Sequence, residues 1–134
     1  MKEKIVRDFR AATSSAALAS FTCACCAREL LIGDRIRRQH TEVDLGMLEG
    51  PHADSGYPTP PTPFTNGPLE GKLVDPHGVI SNDVGQIILE LCGSCSRGLH
   101  RKSLPKHAIA NKLYLGPVPD ALSDLTMVEE CMIA

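Results

Sequence analysis

Hydrophobic and polar positions change their period several times along the chain. Between residues 2 and 19, Ile5, Phe9, Ala12 and Ala16 form a stripe with Lys2, Glu3, Arg7 and Arg10 off it, which predicts an amphipathic helix. ELLIGDRIRR, residues 29–38, reads as two short strands around a turn at Gly33 and Asp34, and so as a hairpin. KLVDPHGVI, residues 72–80, has the same form, with Asp75, Pro76, His77 and Gly78 supplying the turn. GQIILEL, residues 85–91, is an apolar run that predicts a strand leading straight into Cys92. SRGLHRK, residues 96–102, is helix-like, and Pro105 is placed to open another helix that runs through Ala110 until Gly116, Pro117 and Pro119 break it. Thr126 and Glu129 make a capping box for a last helix, MVEECMIA, still running at Ala134, which suggests a piece of a longer protein.

The periodic signal stops between Gly46 and Gly71, where Pro51, Pro58, Pro60, Pro61, Pro63 and Pro68 fall among Gly, Ser and Thr. Proline has no N–H to give to a ladder or helix, so a long loop or linker of polyproline character is expected. PTPPTP also has the composition of a ligand for a proline-binding module. The chain then divides into an N-terminal helix (1–20), a cysteine knuckle and hairpin (21–45), the Pro/Gly-rich segment (46–71) and a second knuckle with a helical C-terminal part (72–134), together one domain without internal repeats.

Composition sharpens this picture in one respect. The 134 residues include three Phe, two Tyr and no Trp, so few large side chains are available to bury apolar area, and a covalent or metal staple would help. Net charge is −2, against a generally basic nucleic-acid binder. Yet Arg97, Arg101, Lys102, Lys106 and Lys112 occur with no acid between Leu91 and Pro119, a local basic patch. No run of 18 apolar residues exists to span a membrane, and MKEKIVRDFRAATSS is unlike a signal peptide. The chain reads as intracellular, where six cysteines point to metal ligands or reactive thiols before disulfides.

The clearest chemical signal is Cys92-Gly93-Ser94-Cys95 at a strand-to-helix junction. Two thiolates two residues apart can wrap a turn around one ion, and a tetrahedral zinc needs two more ligands. In FTCACCAREL, residues 21–30, Cys23 and Cys26 have the same spacing, while adjacent Cys25 and Cys26 project differently and Cys23 with Cys25 closes a poorer turn. The expected ligands are therefore Cys23, Cys26, Cys92 and Cys95, with Cys25 caught in the turn at a position tolerant of many side chains. A register in which Cys25 replaces Cys23 or Cys26 stays open, as does burial of the cysteines as small hydrophobes. His40, His52 and His77 fall in loop-like sequence and are weaker candidates, and Cys131 is expected in the core or against a partner.

A knuckle, a hairpin, and a second knuckle whose last cysteine opens a helix is the ordering of a treble clef, and the helix N-terminus favours thiolate. The expected fold is thus a small α+β, treble-clef-like module stabilised by Zn2+, with short hairpins, flanking helices and a long Pro-rich insertion. The 65 residues between the pairs are no strong objection, because loop closure grows only logarithmically with length. Strand, CGSC and helix is also how a thiol–disulfide oxidoreductase presents its reactive pair, but a second βαβ unit and an aromatic before Cys92 are missing. GPLEGK, residues 67–72, lacks the glycine spacing and the Ser or Thr of a phosphate-binding loop. No catalytic set appears, so a non-enzymatic role without a small-molecule substrate is expected.

The C-terminal 43 or so residues carry an ordered set: Cys92 and Cys95, Pro105, Ala108-Ile109-Ala110-Asn111, Tyr114-Leu115-Gly116, Val118-Pro119, Leu125-Thr126, Glu129, and Met132-Ile133-Ala134. Together with the Cys23–Cys26 knuckle, this set resembles the domain of unknown function found upstream of the helitron helicase-like region in eukaryotic, often fungal, Helitron transposon proteins. Two departures are Tyr114, where Trp is common, and Ala27, where glycine often follows the first pair. The resemblance implies an accessory zinc module of a longer replication-initiator and helicase protein, acting in the nucleus. Its partners would be DNA, through phosphate contacts from Arg97, Arg101, Lys102 and Lys106, or, in a docking role, the remainder of that protein.

Overall fold

The computed structural model describes residues 2–49, 64–81 and 85–114, and beyond these 116, 119–122, 124, 125, 129 and 132. Over these residues the protein is a small mixed α/β structure with two sheets and two helices. Helix α1 (Lys2–Ala12) comes first, then the antiparallel pair β1 (Ser20–Thr22) and β2 (Glu29–Leu31), which holds the first cysteine cluster in its connection. The second sheet has the order β3 (Ile36–Gln39), β5 (Ile87–Leu91), β4 (Val79–Ser81), all antiparallel. β5 passes through Cys92 into helix α2 (Gly93–His100). Among the described residues, no helix is long and apolar enough to cross a membrane.

β5 is the centre of the fold because, among the described strands, it alone pairs on both edges. Alternation along it sends Leu89 and Leu91, both 0% exposed, to one face and Glu90 to the other. Buried Glu90 lies opposite Arg37 in the register and accepts 3.0 Å contacts from both Arg35 and Arg37, so its charge is met by two guanidinium groups. Leu48, Leu69, Val74, Leu99 and Ala108 complete one core with Phe21 and the cysteines. Few of these side chains are large, as composition foretold.

Several expectations are corrected. The N-terminal helix ends at Ala12, where the Thr13 hydroxyl joins its own N–H on the Phe9 carbonyl and the Ser14 hydroxyl bonds to that of Ala11, local side-chain bonds that compete with helix continuation. Ala16 is therefore outside it, and Ile5 and Phe9 are 61% and 66% exposed. ELLIGDRIRR does form two strands, but they do not pair with each other. Ile32–Asp34 is a 3-10 turn that carries the chain from one sheet to the other, so β2 pairs with β1 and β3 with the distant β5, Ile36 opposite Leu91 and Gln39 opposite Ile88. KLVDPHGVI is not a hairpin either. Its Asp75 side chain caps the Pro76–Gly78 turn through the His77 N–H, while Leu73 N–H donates to Leu48 O (2.7 Å) and Asp75 N–H to Ala24 O (2.8 Å), so Leu73 and Val74 enter the core instead of pairing with β4.

Pro105 opens no α-helix. A turn at Pro105–Ala108 is followed by one 3-10 turn, Ile109–Asn111, because the Ile109 N–H goes to Cys25 O and the Asn111 side-chain amide takes the Pro105 carbonyl. The Pro-rich segment is also bounded more tightly than 46–71. Leu45–Leu48 is a 3-10 turn, Leu48 and Leu69 are core residues, and an isolated bridge between Glu49 and Lys72 closes the neck of the insertion. Residues 50–63, with PTPPTP and His52, lie outside the described residues, as do Cys131 and most of the last expected helix.

Candidate metal centre

The first pair is set by a loop held both through its own backbone and by bonds from outside it. Within it, Ala27 N–H donates to Cys23 O (2.8 Å) and Cys23 N–H to Arg28 O (3.0 Å), which wraps the chain around the sulfurs. From outside, Ala24 donates to Glu90 O and accepts from Asp75, and Cys25 O accepts from Ile109. Three distant segments thus fix one five-residue turn. The second pair is local: Cys92 is the N-cap of α2 with extended backbone, and Cys95 sits in the first helical turn.

The two pairs meet. The sulfurs of Cys23, Cys26, Cys92 and Cys95 all lie within 4.8 Å of one another. A tetrahedral ion with sulfur ligands at about 2.3 Å requires sulfurs about 3.8 Å apart, so the tetrad is arranged to hold a metal ion with small inward shifts. Cys23, Cys92 and Cys95 are buried, and Cys26 is half-buried. Around them, Cys92 N–H donates to Cys23 Sγ at 3.3 Å, the Ser94 hydroxyl lies 3.2 Å from Cys92 Sγ, and the Arg28 guanidinium reaches Cys26 Sγ and Cys92 Sγ at 3.5 and 3.8 Å.

The thiols perturb one another strongly. Hydrogen bonding to Cys26 and then to Cys95, with burial, pushes the Cys23 thiol up, and the same bonds from Cys23 and Cys95, with Arg28, hold Cys26 well down. At Cys92, burial opposes ionisation, but the Ser94 hydroxyl and the Cys95 amide outweigh it and the thiol is held below its ordinary range. At Cys95, the bond from Cys23 favours thiolate, but Cys25, Cys26 and burial outweigh it and the thiol is pushed up. Four sulfurs this close cannot all carry charge unless a cation sits among them.

Cys25 is outside the tetrad. Its side chain is 0% exposed in the core beside Cys95, so position 25 is not the tolerant turn position expected from sequence. Exposed His77 bonds Asp75, and His40 faces the Ile87 carbonyl, so neither histidine joins the cluster. Arg97, Arg101, Lys102 and Lys106 are all exposed, and among the described residues none pairs with a carboxylate. Arg101 closes α2 one turn beyond Arg97. Two residues escaped the sequence reading. Arg28 gave no local signal, since one of its sulfurs comes from 64 residues away; Arg38, from β3, donates to Ser96 Oγ at 3.5 Å and adds a cation beside α2.

Two backbone positions at the centre make sharp expectations. Ala27 adopts φ of 54°, the left-handed region that Cβ disfavours. Ala27→Gly should therefore stabilise the metal-bound protein by about 1 kcal/mol, read as a shift in urea midpoint at unchanged slope. Gly78 is the reverse case. A Cβ there would stand 2.3 Å from Ala24 N and 2.6 Å from Thr22 O, both backbone, so Gly78→Ala should destabilise by about 3 kcal/mol in the same titration by pushing the first knuckle away.

Comparison with known proteins gives one match: residues 101–134 are similar to a domain of unknown function, DUF6570. No curated protein and no solved structure matches the chain.

Proposed function

We propose that this chain is a non-catalytic zinc module of treble-clef type that helps a larger Helitron-like transposon protein hold DNA in the nucleus. The observation that carries the metal part is the four-sulfur tetrad. Four protein sulfurs leave no open position for water or substrate, which suits a structural ion, and tetrahedral thiolate sites favour zinc. The treble-clef reading rests on the order knuckle, β3–β5 pair, then Cys92 and Cys95 at the start of α2. Against the thiol–disulfide alternative stands the presence of two further thiols within reach of Cys92 and Cys95. Support for the transposon context is the ordered resemblance of the C-terminal stretch, part of which is the stretch similar to DUF6570.

DNA would meet the exposed cations on and after α2: Arg97, Arg101, Lys102 and Lys106, with Arg38 beside them. Each phosphate neutralised releases condensed counterions, so log affinity should fall with log salt at a slope of about 0.9 per phosphate on duplex DNA. Arg97→Ala with Arg101→Ala should lower that slope by about 2. A fluorescence-anisotropy titration checks it. Absence of binding at low salt, or an unchanged slope, favours the docking reading, for which the exposed Ile5, Val6 and Phe9 of α1 offer an apolar face.

A further inference from the structure

We propose that Arg28 is the charge-compensating gate of the metal centre, the residue that sets how readily the bound ion leaves; this rests on the metal reading above. Its backbone is already part of the first knuckle, since Arg28 O accepts from Cys23 N–H. Its guanidinium then spans the two halves of the site, with Nε 3.5 Å from Cys26 Sγ and Nη2 3.8 Å from Cys92 Sγ. One side chain therefore bridges a sulfur from each pair.

The side of the tetrad it covers is the one that solvent can reach. Cys23 and Cys95 are 0% and 1% exposed, whereas Cys26 is half-buried. A cavity of about 410 Å3, lined by Arg28, Leu30, Arg35, Ile36, Cys92 and Ser94, reaches the tetrad at Cys92. A chelator or electrophile approaching the centre through it passes Arg28, which lines the cavity together with Cys92.

Charge supplies the second half of the inference. Four thiolates around a dication leave a net charge of −2, which attracts protons and electrophiles to the sulfurs and so favours release. Arg35 also lines the cavity, but it is engaged 3.0 Å from Glu90, so the cation in contact with the sulfurs is Arg28. A guanidinium presents its N–H groups in a rigid fork that reaches two sulfurs at once, which the single ammonium of lysine does not. Hydrogen-bond partners behind metal ligands typically change affinity by about 10- to 100-fold when lost.

The test is zinc transfer from the zinc-loaded full chain to a colorimetric chelator. Arg28→Gln, which keeps length and removes charge, should release zinc about 10-fold faster, with Arg28→Lys in between. Iodoacetamide labelling mapped by mass spectrometry should find Cys26 alkylated first, and faster in Arg28→Gln. In the unaltered protein, release should accelerate with added salt, because the exposed guanidinium is screened; this measurement decides the matter if the variants fail to fold. Equal release from Arg28→Gln and the unaltered protein, or a flat salt response, overturns the role of Arg28 while leaving the metal reading intact. A purified chain that binds no zinc overturns both.

Discussion

Stripping the metal with a strong chelator is expected to unfold both sheets and α2 in one transition. The reason lies in how small the core is that otherwise joins the parts. The strands are three to five residues long, β1–β2 and β3–β5–β4 are separate sheets, and the largest fully buried side chains are leucines. The β1–β2 pair is joined to the β5–α2 junction by one small core that Phe21 shares with Leu89, Leu91 and Leu99, by backbone bonds such as Ala24 N–H to Glu90 O, and by the set of four sulfurs. In zinc-finger peptides the ion contributes on the order of 10 kcal/mol of apparent folding free energy, comparable to the whole stability of a typical domain, about 5–15 kcal/mol. Far-ultraviolet circular dichroism and thermal melting with and without chelator measure this directly. Amide exchange at Leu89 and Leu91 should also collapse to unprotected rates. Melting unchanged in chelator would mean that the core holds the fold alone.

The second large effect separates the three clustered cysteines. Cys23→Ser and Cys26→Ser each remove a ligand, so both should lose bound zinc and most of the folding energy the ion supplies. Cys25→Ala should keep one equivalent. It is expected to lose only about 1 kcal/mol, from the small cavity left beside Cys95. Alanine is the sharper choice than serine there, because a buried hydroxyl without a partner adds about 1–3 kcal/mol of its own. Zinc stoichiometry and melts of the three variants decide the register: a Cys25→Ala protein without metal, beside a Cys26→Ser protein that retains it, would place the site on the wrong pair.

The grouping of Cys23, Cys26, Cys92 and Cys95 was legible in sequence because each half of it is local. Spacing within Cys23–Cys26 and Cys92–Cys95 determines which sulfurs can share an ion, and the apolar run Ile87–Leu91 followed by a helix places the second pair correctly. Pairing of the strands was not legible. β2 and β3 read as a hairpin because turn chemistry is a local signal, while the competing partners, Ser20–Thr22 and Ile87–Leu91, are chosen by tertiary packing around the knuckle. Pro105–Asn111 looked helical for the same reason: propensity says nothing about the Ile109 N–H finding Cys25 O or the Asn111 amide finding Pro105 O. Residues whose roles depend on both cysteine pairs at once, Arg28 above all, were invisible until the pairs had been brought together.

X-ray absorption at the zinc edge of the purified full chain tests the central claim most directly, because it counts the atoms bound to the ion. One equivalent of zinc with four sulfur neighbours at about 2.3 Å is the predicted result. A shell in which nitrogen or oxygen replaces sulfur, or a purified protein carrying no bound metal, would contradict it.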